Sequence, residues 1–143
     1  MKRVCVFDCR RESNQSWVIT NFIRRSTDPK ITADREYTII KGQMKHKCDV
    51  RVQLESGESF YLDVSVYNPS CASLQNETPQ TLMAKKVAAK RVEYKHVGIS
   101  SASTEFVPVI FDSTGSLCPQ AISFFKTHFP SQLRFAQYLS CLR

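Results

Sequence analysis

No apolar run in this 143-residue chain approaches the roughly 18–20 residues that a membrane span requires, which excludes a spanning helix. The opening stretch MKRVCVFDCRRES has an apolar segment too short and too charged for a secretory signal. None of the six cysteines, at positions 5, 9, 48, 71, 118 and 141, forms a CxxC pair. Cys5 and Cys9 have the look of half a zinc site, but no Cys or His partners follow at usable spacing, and zinc is set aside. There is no internal repeat and no low-complexity tract. Acid is also scarce. Thirteen Asp and Glu face twenty Lys and Arg, for a net charge of +7 and a pI near 9.2. Such a balance points to a polyanionic partner, either nucleic acid or an acidic membrane surface.

What remains is an ordinary soluble composition, 42% apolar and 23% charged. The length predicts one domain over residues 1–143, able to bury about 70% of its unfolded surface without staples. Several cysteines lie in apolar surroundings and read as reduced thiols of an intracellular protein. NQSWVITNFIRRS (14–26) carries apolar residues near a helical period, and REYTII (35–40) alternates as a strand does. CDVRVQLESGESFYLDVSV (48–66) reads as a hairpin, and NPSCASLQNETP (68–79) as a loop. PQTLMAKKVAAKRVEYKHVG reads as a helix stopped by Gly98, and TEFVPVIFD (104–112) as a buried strand. The tail from Cys118 gives two helices parted at Pro130, the second over 130–143, with the domain core over about 14–128. Helix, strand, strand, strand, helix, strand, helix is an α/β order. The strand–helix–strand passage implies a parallel crossover beside an antiparallel hairpin, hence a mixed sheet of about four strands flanked by helices.

The hairpin fixes its own register. Val50, Val52 and Leu54 share one face of the first strand, and Phe60, Leu62, Val64 and Val66 share one face of the second. Both sets meet one core only if 52 pairs with 60 and 50 with 62. Leu54 and Glu58 then close a three-residue loop whose last residue, Gly57, takes the left-handed conformation. This register sets Asp49 directly across from Asp63. Opposed like charges destabilise a sheet, so the pair is either two solvated strand ends or a carboxylate site for a cation such as Mg²⁺ or Mn²⁺.

The long helix adds a basic group. At about 100° per residue, Met83, Val87, Tyr94 and Val97 form one stripe, and Lys90 falls within it. Lys85 and Lys95 project well outside, while Lys86 and Arg91 sit past its edges. A lysine in an apolar stripe either snorkels to water or serves a site beneath the helix. Beside two carboxylates and a metal, its ammonium can orient water or stabilise phosphorane charge, with the Tyr94 hydroxyl assisting one turn on. Two acids, a cation and a fixed positive charge are the parts of metal-assisted phosphodiester hydrolysis.

CDVRV, YLDVSVYNP, AAKRVEY and FVPVIFDSTGSLCPQA together resemble the restriction-like endonuclease domain of site-specific non-LTR retrotransposons, a branch of the PD-(D/E)xK nuclease superfamily. The similarity covers roughly residues 34–128. It implies a restriction-endonuclease-like fold and a Mg²⁺- or Mn²⁺-dependent DNA endonuclease that nicks a double-stranded target, with no membrane partner. The family's first acid matches Asp49, with Cys48 in place of its proline; its second matches Asp63. Ser65 stands where the wider superfamily has its lysine. The retrotransposon branch carries that lysine on the following helix ahead of a tyrosine, matching Lys90 and Tyr94, with Arg91 one residue off as the alternative. Glu36 resembles an acidic position before the hairpin and is a further candidate metal ligand. Phosphate contacts are expected from Lys85, Lys86, Arg91, Lys95 and the amino-terminal basic residues. Two further expectations follow from the family: reverse-transcriptase machinery as partner and a nuclear location, where the chain belongs to a eukaryotic retroelement. Double-strand cutting would need two copies, so a homodimer stays open. The competing function is a nuclease-fold module that binds nucleic acid without cutting it.

Overall fold

The computed structural model describes residues 9–25, 30–68, 76–96, 104–113 and 115–129. The expected helix over 130–143, the Gly98 stop, Val97, most of the 68–79 loop, the amino-terminal basic residues and cysteines 5, 71 and 141 lie outside them. The elements run α1 (Cys9–Arg24), β1 (Thr32–Lys41), β2 (Met44–Gln53), β3 (Ser59–Tyr67), α2 (Pro79–His96), β4 (Thr104–Asp112) and α3 (Pro119–His128). They build one four-stranded sheet in the order β1-β2-β3-β4. The first two pairings are antiparallel, and β3 with β4 is parallel. This is the mixed α/β architecture expected. Among the described residues, no helix is long and apolar enough to cross a membrane.

Local chemistry explains the boundaries. Thr78 caps α2: its hydroxyl oxygen accepts the Thr81 N–H at 3.2 Å, and Pro79 at the first helical position forfeits an N–H that would have no partner. Pro119 plays the same part in α3. In the β2–β3 hairpin the Leu54 N–H donates to Glu58 at 2.9 Å and the Gly57 N–H to Leu54 at 3.1 Å, with Gly57 at φ +88°. Val50 pairs with Leu62 and Val52 with Phe60, the register read from the pattern. The β1–β2 hairpin closes on Gly42-Gln43, and Gly42 at φ +61° supplies the positive dihedral that a two-residue turn wants at its first position.

One face of the sheet buries Val50, Val52, Phe60, Leu62, Val64, Val107 and Val109 against Ile19, Phe22 and Ile23 of α1 and Ala121, Phe124 and Phe125 of α3. Phe22 meets Phe125 edge-on at 6.0 Å, which locks those two helices together. α2 covers the other face, where Tyr94 packs with Ile39 and Cys48 and against Tyr37, Tyr61 and Phe106. β4 is an edge strand, which is why it tolerates Pro108. The Pro108 carbonyl accepts from the Cys118 thiol and the Ile110 carbonyl from the Cys118 N–H. That residue set therefore turns its backbone away from β3, and the missing proline N–H costs no ladder bond.

Candidate active site at a strand fork

The β2–β3 ladder stops at Val50–Leu62, although β2 continues back to Met44 and β3 forward to Tyr67. The sheet forks there. Beyond the fork β2 stays with β1, and β3 stays with β4. Strict alternation also fails at this point. Arg51 stands over the Tyr37 ring at 4.1 Å, and Tyr37 stacks on Tyr61 at 6.0 Å, so Arg51 is on the α2 side. Cys48, an odd number of residues away, is on that side too, packed with Tyr94. The face inverts between them, at Asp49. On β1 the residue level with Asp49 is Glu36, whose φ of +51° is left-handed, and theirs is the one position missing from the β1–β2 ladder. A non-glycine residue pays about 1–2 kcal/mol for that conformation.

The inversion corrects the simple picture of Asp49 and Asp63 as a flat cross-strand pair. Asp49 instead reaches toward β3, where its Oδ2 accepts the Val64 N–H at 2.6 Å. Val64 lies two residues past the last paired residue of β3, and the carboxylate replaces the lost ladder acceptor. Asp63 stays on the α2 side, buried, and lies beside the Asp49 carboxyl, from which it can accept a hydrogen bond while Asp49 is protonated. From α2, Lys90 Nζ comes to 3.0 Å of Asp63 Oδ2, and to 3.5 Å of Glu93 one turn along its own helix. Lys90 therefore serves the sheet beneath rather than solvent. Its side chain is 28% exposed and that of Asp63 is 12% exposed.

The electrostatics follow. Burial, the Asp63 hydrogen bond and the Asp63 charge push the Asp49 carboxyl up to about 7, against the pull of the Val64 N–H and Lys90. Burial works to lower the Lys90 pKa, but the charge and hydrogen bond of Asp63, helped by Glu93, win and raise it. Lys90 is thus a fixed ammonium at neutral pH. The Cys48 thiol, pushed up to about 12 by burial and by both aspartates, is inert as a nucleophile or ligand.

Tyr94 completes the cluster. It is 1% exposed, stacked on Phe106 at 3.9 Å and met edge-on by His46 at 4.5 Å. Burial first, then Asp63, raises its hydroxyl far above the ordinary phenol range. That hydroxyl has no hydrogen-bond partner. A buried orphan hydroxyl costs about 1–3 kcal/mol and calls for a ligand or ordered water.

Not every expected residue arrives. Glu36 is turned outward, exposed, and pairs with Lys47 at 3.4 Å. Among the described residues no group of three His, Cys, Asp or Glu side chains converges on a metal position. Arg91 is exposed and lines a groove between α2 and α3 with Glu105, Gln120, Thr127 and His128, away from Asp63. Lys86 and Lys95 are exposed on α2, and Lys85 pairs with Glu77 at 2.6 Å. Sequence reasoning missed Glu93, His46 and the Val64 N–H. Glu93 alone left a trace, its i,i+3 spacing from Lys90. Two carboxylates and an orphan hydroxyl suit a hard cation that keeps most of its water, as Mg²⁺ and Mn²⁺ do, and not a closed zinc or calcium cage. No family model matches this sequence, and no curated protein matches it significantly.

Proposed function

We propose that this chain is a divalent-metal-dependent DNA endonuclease that hydrolyses a phosphodiester bond. The observation that carries the reading is the convergence of Lys90, from a separate element, on the buried Asp63 at 3.0 Å beside a second, half-buried acid. Structural ion pairs do not need a second carboxylate held at the same point against its own repulsion. Asp49 and Asp63 would hold Mg²⁺ or Mn²⁺, and the ion supplies an activated water and Lewis-acid stabilisation of the phosphate. Lys90, held protonated, keeps a fixed positive charge where the transferring phosphate gains negative charge. The Val64 N–H fixes one Asp49 oxygen and so the direction of the other. The Tyr94 hydroxyl is placed to donate to a group bound at the acids.

The net charge of +7 and the exposed Lys86, Arg91 and Lys95 on α2 support a DNA substrate. The likeness to retrotransposon restriction-like endonuclease domains supports the same reading, and reverse-transcriptase machinery is then the natural partner. A second reading, binding without cutting, draws on the direct Lys90–Asp63 ion pair and the lack of a third converging carboxylate among the described residues. Supercoiled plasmid with Mg²⁺ or Mn²⁺, against EDTA, separates the two. Nicking that needs the metal and is lost in Asp63→Ala, with DNA binding kept or improved, is the expected result. Plasmid that is bound and stays supercoiled favours the binding module.

A further inference from the structure

Past the fork, residues 37–41 of β1 and 44–48 of β2 continue as a two-stranded arm that β3 no longer accompanies. From Asp49 to the tip at Met44 the arm is five residues, about 17 Å at the rise of a strand. Its inner face is taken: Tyr37, Ile39, His46 and Cys48 lie with Tyr94. Its outer face carries two cross-strand pairs, Thr38 with Lys47 and Ile40 with Lys45. All four residues are exposed, Ile40 at 66%, and Met44 at the tip is 50% exposed. No acid is interleaved along this outer face until Glu36 at the base, which holds Lys47 only through a solvent-exposed pair at 3.4 Å. Such a pair is weak, and a phosphate competes with it readily.

We infer that this arm enters a groove of double-stranded DNA and holds the duplex against the fork; the inference rests on the nuclease reading above. A two-stranded ribbon fits the major groove, which is about 12 Å wide. Lys45 and Lys47, with α-carbons about 7 Å apart, span about two base-pair rises along the helix axis. Ile40, on the same face as the two lysines, gives the arm an apolar contact for base methyl groups, and Met44 is exposed beside it at the turn. Two apolar side chains fall far short of the roughly 800 Å² that each partner of a stable protein complex buries, so a protein occupant is the poorer fit. The arm also begins at Asp49, so whatever seats on it is delivered to the acids.

The experiment measures duplex and single-strand affinity of the full chain across about 50–200 mM salt in EDTA, and plasmid nicking in Mg²⁺. The test variant is Lys45→Ala with Lys47→Ala. The control removes the same charge elsewhere, through Lys30→Ala with Lys126→Ala. Ile40→Ala with Met44→Ala probes the tip. Loss of both arm lysines is expected to weaken duplex binding by about tenfold or more and to flatten the log–log salt slope by about 1.8, at 0.9 per phosphate. The control is expected to change far less, and single strands should respond less than duplex. Arm and control variants that bind duplex alike overturn the inference, as does an equal loss on single and double strands. If the wild type nicks plasmid and the arm variants bind unchanged, the arm fails and the nuclease reading stands. If duplex binding depends on the arm and nothing is nicked, the nuclease reading fails and the arm stands.

Discussion

The Asp49 carboxylate accepts the backbone N–H of Val64 from the neighbouring strand at 2.6 Å, just past the point where the two strands stop pairing. One side chain thereby does the work of a missing ladder acceptor and is aimed at Asp63 in the process. The left-handed Glu36 opposite Asp49 is the backbone cost of that arrangement. Local strain of this kind gathers at functional positions because ordinary strand geometry cannot deliver a side chain into the sheet plane.

One buried and one half-buried acid held side by side should be a liability in the absence of a cation, and pH exposes it. An unfolded Asp49 ionises near its ordinary value of 3.8, whereas the folded one is pushed up to about 7. Between those values the folded state binds the extra proton, so this group's stabilising contribution is complete below the lower value and is lost as pH rises through the upper one. In EDTA, the Tm of Asp49→Asn should therefore gain on the wild type, by a few °C, as pH is raised from about 5 to 8. The amide keeps an acceptor for the Val64 N–H, so the comparison isolates the charge. Parallel Tm profiles for the two proteins would remove the strained acid pair from the account.

Much of the site is legible in the amino-acid sequence. Apolar alternation and the Gly57 turn were enough to set the β2–β3 register, because a one-residue slip would have exposed the whole core face. The helical stripe placed Lys90 over the sheet for the same reason: Met83, Val87 and Tyr94 have only one way to be buried together. The fork was not legible. Alternation assumes an unbroken pleat, and nothing in KCDV announces that the face inverts at Asp49 or that Glu36 turns left-handed. Glutamate is an uncommon choice there, and no local window announces it. The β1–β2 arm went unread as a hairpin partly because its Gly42-Gln43 turn interrupts a run dominated by lysine.

Tyr94 should separate stability from activity. Its hydroxyl is buried without a partner, so Tyr94→Phe removes an unsatisfied group while keeping the ring on Phe106. The expected gain is about 1 kcal/mol in EDTA, measured by urea or thermal unfolding. If the hydroxyl meets the bound phosphate or its water, the same variant nicks about tenfold more slowly in saturating Mg²⁺, one hydrogen bond's worth. A variant that loses stability instead would mean the hydroxyl is already satisfied.

Lys90 and Arg91 are adjacent in sequence and opposite in consequence. Lys90 reaches Asp63, while Arg91 faces the groove between α2 and α3. Lys90→Ala should lower the single-turnover rate on the order of 10²–10³-fold, the usual loss for one transition-state charge contact. Arg91→Ala should weaken DNA binding and leave the rate at saturating enzyme almost unchanged. Chemistry lost with Arg91 and kept without Lys90 would reverse the assignment.

Glu36 offers the sharpest choice between two roles. Its likeness to an acidic family position makes it a candidate metal ligand, whereas the structure turns it outward onto Lys47 at 3.4 Å. A ligand lost raises the Mg²⁺ concentration needed for half-maximal nicking and slows cleavage even when DNA is saturating. A surface competitor lost does something else: Lys47 is released to phosphate, and one repelled charge leaves the DNA-facing arm. Glutamine has nearly the same shape and backbone preferences, so Glu36→Gln changes the charge with little added strain at the left-handed position. We expect duplex affinity to rise severalfold at low salt, and the log–log salt slope to steepen by up to about 0.9, one added phosphate contact. The Mg²⁺ dependence and the single-turnover rate should stay where they are. Titrating Mg²⁺ in nicking assays of both proteins, alongside duplex affinity across salt, decides the matter. A shifted metal midpoint with unchanged affinity would return Glu36 to the metal site and require the carboxylate to swing inward when the ion binds.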